Sequence, residues 1–259
     1  MSTPEYVLVA RGKAQEIRDQ LSLGIDAIGD IFHFIEDQGI LLVRRPMGRD
    51  GVDGIYAKRK GIQLMLVNSD KSLGRQRFTA AHEYAHGLFD DINLQIDENI
   101  FETESLSEKR ANAFAVHFLV PEAGVNMLMN KLTSSGDVKR EPSPYDVVHV
   151  QKHYGISYLA ALYHLRNIRI INEQTRRAWE KLSPMKMAFE LGYYDLYSDA
   201  ERGIKTVPND YFQRAIKAYE QSDISLYKLA ELLEEPKEEL ESQLTELQVF
   251  PEEVDLFKE

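Results

Sequence analysis

The residues best suited to chemistry lie in one pentapeptide, His82-Glu83-Tyr84-Ala85-His86. On a helix each residue turns by about 100°, so His82 and His86 stack one turn apart on a single face. Their imidazoles can then reach one zinc ion at roughly 2.0–2.1 Å. Glu83 is turned about 100° from His82 and cannot comfortably share the ion. It can instead reach a water that Zn2+ would acidify, and accept its proton. Such a set is suited to metal-assisted hydrolysis of a peptide bond. Tyr84, about 200° from His82, should point away.

A catalytic zinc needs a third protein ligand and an open position. The chain has no cysteine, so that ligand must be a histidine or a carboxylate. The next helical pattern, Leu106 to Leu119, offers Glu108. Ala111 and Ala115, at i+3 and i+7, line its face with small residues that allow a close approach to the first helix. Asn112, at i+4, lies on the same stripe and can orient a ligand by hydrogen bonding to it. Glu102, Glu104 and Asp97 in the acidic stretch just upstream are rivals. A plainer reading also exists, because Ser105-Leu106-Ser107-Glu108 matches a capping box in which Glu108 only caps the helix. His117 is turned about 180° from Glu108, to the opposite face. His149 and His153 repeat the i,i+4 spacing, but Val150 stands where a base is needed, and they read as an ordinary helix pair.

The elements that must position these residues follow from periodicity. Ala14, Ile17 and Leu21, then Ile28, Ile31, Phe32 and Ile35, mark two short helices, and Gly39 stops the second. Residues 40–43, 55–58 and 62–68 read as three strands, the last two joined by a tight Lys60-Gly61 turn. An edge strand of such a sheet can take up a substrate backbone by strand addition. Phe78, Ala81, Ala85, Leu88 and Phe89 mark one face of the helix bearing the histidines, which ends near Asp90. Helices are expected at 145–153 and 157–170, separated by Tyr154-Gly155-Ile156-Ser157, and another near Trp179. Helical patterns return at 211–220 and 226–233, and Pro236 opens a further helix.

Composition narrows the class. Hydrophobic residues make up 43% and charged residues 28%, which excludes general disorder in a chain of 259 residues. Neither a secretory leader nor a membrane-length apolar run is legible, so a cytoplasmic protein is expected. The net charge of −11 argues against a general DNA-binding surface. That charge is segmented: residues 40–80 hold 9 bases and 3 acids, residues 90–108 seven acids and no base, and residues 209–259 hold 14 acids and 5 bases. The basic segment includes Arg44, Arg45, Lys58, Arg59, Lys60, Arg75 and Arg77, and reads first as a solvated surface, with steering of an acidic substrate as the other reading.

Read together, Gly74-Arg75-Gln76-Arg77-Phe78-Thr79-Ala80-Ala81-His82-Glu83-Tyr84-Ala85-His86, then Glu108-Lys109-Arg110-Ala111-Asn112-Ala113-Phe114-Ala115 and Phe118-Leu119-Val120-Pro121, closely resemble the ImmA/IrrE family of metallopeptidases. Val67-Asn68 before the first motif and Tyr154-Gly155-Ile156-Ser157 after the last extend the resemblance over about residues 25–172. One departure is Ala85, where the family usually has glycine; alanine is small and favours a helix. The resemblance implies His82, His86 and Glu108 as metal ligands and Glu83 as base. It also implies a regulatory protease that cleaves a helix-turn-helix repressor of the Xre/Cro type, controlling a mobile element, a prophage or a stress response.

The expected fold is α+β: a zincin-like metallopeptidase domain with a small sheet of about three strands and an HExxH helix, followed by a helical C-terminal module. The expected boundaries are a peptidase domain over 1–183, including a helix-turn-helix-like hairpin near 145–170, a connector over 184–208, and an acidic helical module over 209–259. Gly155-Ile156-Ser157 suits the turn of a DNA-binding motif, but charge favours a hairpin that completes the catalytic domain, so direct nucleic-acid binding is not expected. The expected activity is a zinc-dependent endopeptidase of narrow specificity. The alternative is a non-enzymatic regulator that keeps a structural metal and binds a repressor or DNA.

Overall fold

The structure, a computed structural model, describes residues 4–89, 105–135, 138–193, 196, 207–246 and 249–251. Helices α1 (Glu5–Gln20) and α2 (Ile31–Asp37) come first. The Asp30 side chain caps α2 by accepting from the Phe32 and His33 N–H groups. Gly39, at φ +78°, then turns the chain into the sheet, a conformation that costs a glycine little.

Strands β1 (Ile40–Arg45), β2 (Gly54–Arg59) and β3 (Ile62–Asn68) form one sheet in the order β1-β3-β2. β1 runs parallel to β3, and β2 antiparallel to it, so β1 and β2 are the edges. The β2–β3 turn places Lys60 at φ +50° and Gly61 at φ +83°. Ile40, Leu42, Met65 and Val67 supply the buried face. Fully buried Asn68 pins the long β1–β2 connection: its Nδ2 donates to the Gly48 and Val52 carbonyls, and its Oδ1 accepts from the Met47 and Asp70 N–H groups.

Helix α3 (Leu73–Leu88) lies against the inner side of the sheet, and α4 (Leu106–Leu119) packs on α3. α1 packs along α4 through its stripe of Ala10, Ala14 and Ile17. Arg18 in α1 is fully buried, and carbonyls take up its charge: Gly24 at 3.0 Å, Phe118 at 2.6 Å, and Asp26.

Helix α5 (Glu122–Thr133) follows Pro121 directly, and the short pair β4 (Ser134–Ser135) and β5 (Val138–Lys139) comes after it. Periodicity does not single out α5 in the sequence. Its buried residues Gly124, Val125, Met129 and Thr133 form only a narrow stripe. Helices α6 (Pro144–Tyr154) and α7 (Tyr158–Asn167) make a hairpin. Ser143 and Asp146 form a capping box at the start of α6, and Gly155 ends it at φ +64°. Val147, Val148, Val150, Leu162 and Leu165 enter the same core as the sheet and α3.

Helices α8 (Glu173–Trp179) and α9 (Pro184–Glu190) complete this body. The connector expected to begin at 184 therefore starts later. Ser183 caps α9 with Pro184 at its first turn, and Met187 and Ala188 are buried in the main core. Helices α10 (Asn209–Glu220), α11 (Leu226–Leu233) and α12 (Lys237–Glu246) share a second core of Ala215, Leu229, Ala230, Leu233, Leu240 and Leu244. Among the described residues, no helix is long and apolar enough to cross a membrane.

His164 in α7 is fully buried, with its ring against His117 of α4. Burial, reinforced by His117, pushes its imidazole down to about 3. Between about 3 and the ordinary 6.5, the unfolded chain binds a proton that the folded chain refuses, so stability falls as the pH drops through that window. His164→Leu should remove this loss. Urea unfolding at about pH 7 and about pH 5 should show the variant losing less stability than the parent, by on the order of 1–2 kcal/mol.

Candidate metal centre

Polar ties at its N-terminal end set the position of α3. Gln76 is buried; its Oε1 accepts from Arg44 at 2.8 and 3.1 Å, and its Nε2 donates to the Ser69 and Lys71 carbonyls. Arg77 reaches the carbonyls of Gly29, at 2.8 Å, and of Ile28. Arg44 also lies over the Phe32 ring at 4.3 Å. Two members of the basic segment expected at the surface are therefore interior, Arg44 at 7% and Arg77 at 8% exposure. A third, Arg75, is paired with Asp53.

The helices that carry the candidate residues approach closely. Ala81 and Ala85 on α3 and Ala111 and Ala115 on α4 are all fully buried. Tyr84 faces away from the imidazoles, into a cluster with Phe34, Phe114 and Phe118.

At this crossing the structure brings His82, His86 and Glu108 together. The two Nε2 atoms are 3.0 Å apart, and each lies 3.1 Å from a different Glu108 carboxylate oxygen. Donors placed tetrahedrally around an ion at roughly 2.0–2.1 Å would be about 3.3 Å apart, so the side chains need spread only by a few tenths of an ångström to take one cation. Three lone-pair donors this close also repel unless a positive charge sits among them. The residues thus fit a divalent cation in both chemistry and spacing. The two imidazoles hold the Glu108 carboxyl well below the usual carboxylate range. Among the described residues, no other group of three such side chains comes together.

Asn112 lies beside this cluster. Its Oδ1 is 3.0 Å from His82 Nδ1, which puts the imidazole proton on Nδ1 and leaves Nε2 as a donor to a cation. Ser107 Oγ lies 3.4 Å from His86 Nδ1. Sequence reasoning had not assigned Ser107 this place; its position one residue before Glu108 was the available signal. The capping question has a mixed answer. Ser105 accepts from the Glu108 N–H at 3.2 Å, while the Glu108 carboxylate turns to the imidazoles. One residue thus serves both the helix start and the cluster. Asp97, Glu102 and Glu104 lie outside the described residues.

Glu83 sits between α3 and the edge strand β2, where the Tyr56 backbone N–H donates to its carboxylate. Burial pushes this carboxyl above its ordinary range, against the pull of His82 and His86. The other histidines have separate surroundings. His117 meets the His164 ring edge to face, His149 Nδ1 meets the Tyr193 hydroxyl at 2.7 Å, and His153 lies against Tyr154.

Comparison with known proteins bears directly on this arrangement. The model of the IrrE N-terminal-like domain, peptidase M78, matches residues 35–166. The chain belongs to this family. Membership places it among metallopeptidase-type proteins, and the matched region contains the whole His82, His86 and Glu108 cluster. A solved structure of a Mycobacterium tuberculosis transcriptional regulator is similar at 18% identity and a TM-score of 0.45, over 64% of this chain and 48% of that one. This IrrE-like chain thus spans about half the length of that regulator. The search of curated proteins found no match.

The approach of β2 to α3 depends on two glycines. A Cβ at Gly54 would lie 2.4 Å from Thr79 Cγ2 and 3.0 Å from the Leu66 carbonyl oxygen, and one at Gly87 would lie 2.8 Å from the Tyr56 hydroxyl. Gly54→Ala should therefore push the edge strand off the helix. The expected cost is about 1–3 kcal/mol in urea unfolding, with no change in secondary-structure content by circular dichroism.

Proposed function

We propose that this protein is a zinc-dependent endopeptidase of narrow specificity, with His82, His86 and Glu108 as metal ligands and Glu83 as general base. The observation that carries the reading is the convergence of two imidazole nitrogens and the Glu108 carboxylate at 3.0–3.1 Å, with the half-buried Glu83 carboxylate next to His82 on the same helix. Zinc, when bound, would supply a Lewis acid that polarises the scissile carbonyl and acidifies water.

The chain's own groups do the rest. Asn112 Oδ1 holds the His82 Nδ1 proton, so the ring presents its Nε2 lone pair in a fixed orientation. The Glu83 carboxylate takes the proton of the attacking water and hands it to the leaving amine. The Tyr56 N–H steadies that carboxylate from the edge strand. β2 is the sheet edge beside the helix, so an extended substrate segment would add to it as a further strand.

The substrate we infer is a helix-turn-helix repressor of the Xre/Cro type, which the motifs spread over α3 and α4 support by resemblance. Cleavage would relieve repression. The acid-rich C-terminal module would repel phosphates, so direct nucleic-acid binding is not part of the proposal.

Elemental analysis after dialysis against zinc should find one ion per chain. Glu108→Ala or His86→Ala should lose it, and Asn112→Ala should weaken binding by about 10–100-fold in chelator competition.

Glu83→Gln should retain the ion while repressor cleavage drops by about 100-fold or more, read on gels with the co-expressed repressor. Stripping the ion with chelator should abolish cleavage, and zinc should restore it. Undiminished cleavage by Glu83→Gln would remove this residue from the mechanism. Full regulatory output without any cleavage would favour the non-enzymatic regulator.

A further inference from the structure

The inner face of the sheet is packed on α3; its outer face is apolar, touched by the helical module at β1 and exposed on β2 and β3. Strand alternation places Leu41 and Val43 of β1, Leu64 and Leu66 of β3, and Ile55 and Ala57 of β2 on this outer side. Ile55 is 47%, Leu64 42% and Ile62 61% exposed, and none of the outer-face residues belongs to either buried core. Exposed apolar residues gathered on one face and rimmed by polar ones mark a protein-binding surface. Its rim is basic, with exposed Arg59 and Lys60 at the β2–β3 turn and Arg45 at the end of β1.

Two contacts identify what meets this face. α10 lies against β1, and Arg45 forms an ion pair with Glu234 in the turn after α11. Charge agrees with both, since Arg45, Arg59 and Lys60 rim the sheet and residues 209–259 hold 14 acids and 5 bases. Arg45 and Glu234 are each about 40% exposed, so their pair is screened by salt and contributes little by itself. The module folds around its own core, so it can leave the sheet without unfolding.

We propose that the β1 side of the sheet's outer face is a docking surface whose resident occupant is the acidic helical module of the same chain, held mainly by opposite charge and released when that charge is screened. The module is a tethered neighbour of this face, away from the metal centre; it reaches the β1 side and leaves Ile55, Ile62 and Leu64 exposed. Its docking controls what else can reach that surface.

The chain has no cysteine, so Val52→Cys on the sheet side and Tyr227→Cys on α11 can carry a unique pair of spin labels. Pulsed electron resonance in low salt should give one narrow distance population. That population should be lost to a broad, longer one in about 1 M salt, where the Debye length is about 3 Å. Arg45→Glu should cause the same loss in low salt, and Arg45→Glu with Glu234→Arg should restore the narrow population. Circular dichroism and zinc content, unchanged throughout, would show that body and module stay folded. A broad population already in low salt would overturn the proposal. So would a narrow one indifferent to salt and to Arg45→Glu. The same short distance between two singly labelled chains would give the surface to a second copy instead. None of these readouts depends on peptide cleavage, so the proposed activity and this docking can fail separately.

Discussion

The candidate site depends on one close approach, that of α3 to α4. Two imidazoles stacked on one helix can offer their lone pairs to a cation, but the third donor must come from another element. Four fully buried alanines at the crossing leave room for the helices to meet. Glu108 stands at the first turn of α4, where its N–H is capped by Ser105 and its carboxylate remains available to the imidazoles. Small residues, a cap and a carboxylate on one short helix thus serve a single arrangement.

Such a crossing stays in register only if both helices are anchored elsewhere, and buried arginines provide much of that anchoring. Arg18 ties α1 to the last turn of α4, Arg77 ties α3 to the loop before α2, and Arg44 reaches α3 from the sheet through Gln76. A buried guanidinium is tolerable where carbonyl oxygens surround its planar fork, and these bonds then fix direction as well as distance. The basic character of residues 40–80 is therefore partly a framework property. At the sheet rim, Arg45 pairs with Glu234 of the acidic module.

Much of this could be read from the chain, because its signals are local. Helix and strand periods, the Lys60-Gly61 turn and the i,i+4 histidines each depend on neighbours within a turn or two. Helix α5 was harder, since its start coincides with the proline that ends α4 and its buried stripe is narrow. Helix α9 was read as connector for a similar reason: seven residues give too few turns for a period to emerge, yet Met187 and Ala188 are buried against the body.

By itself, then, the sequence determined the order of elements, the candidate ligands and the family to which they belong, because each is written in spacing along one helix or one motif. Tertiary structure alone decided which sheet edge faces Glu83, which arginines lie inside, that Ser107 sits beside His86, and that Arg45 of the sheet meets Glu234 of the acidic module. These relations join residues tens to nearly two hundred positions apart. No local period encodes such distances; they follow from how rigid, half-apolar elements bury their faces against one another.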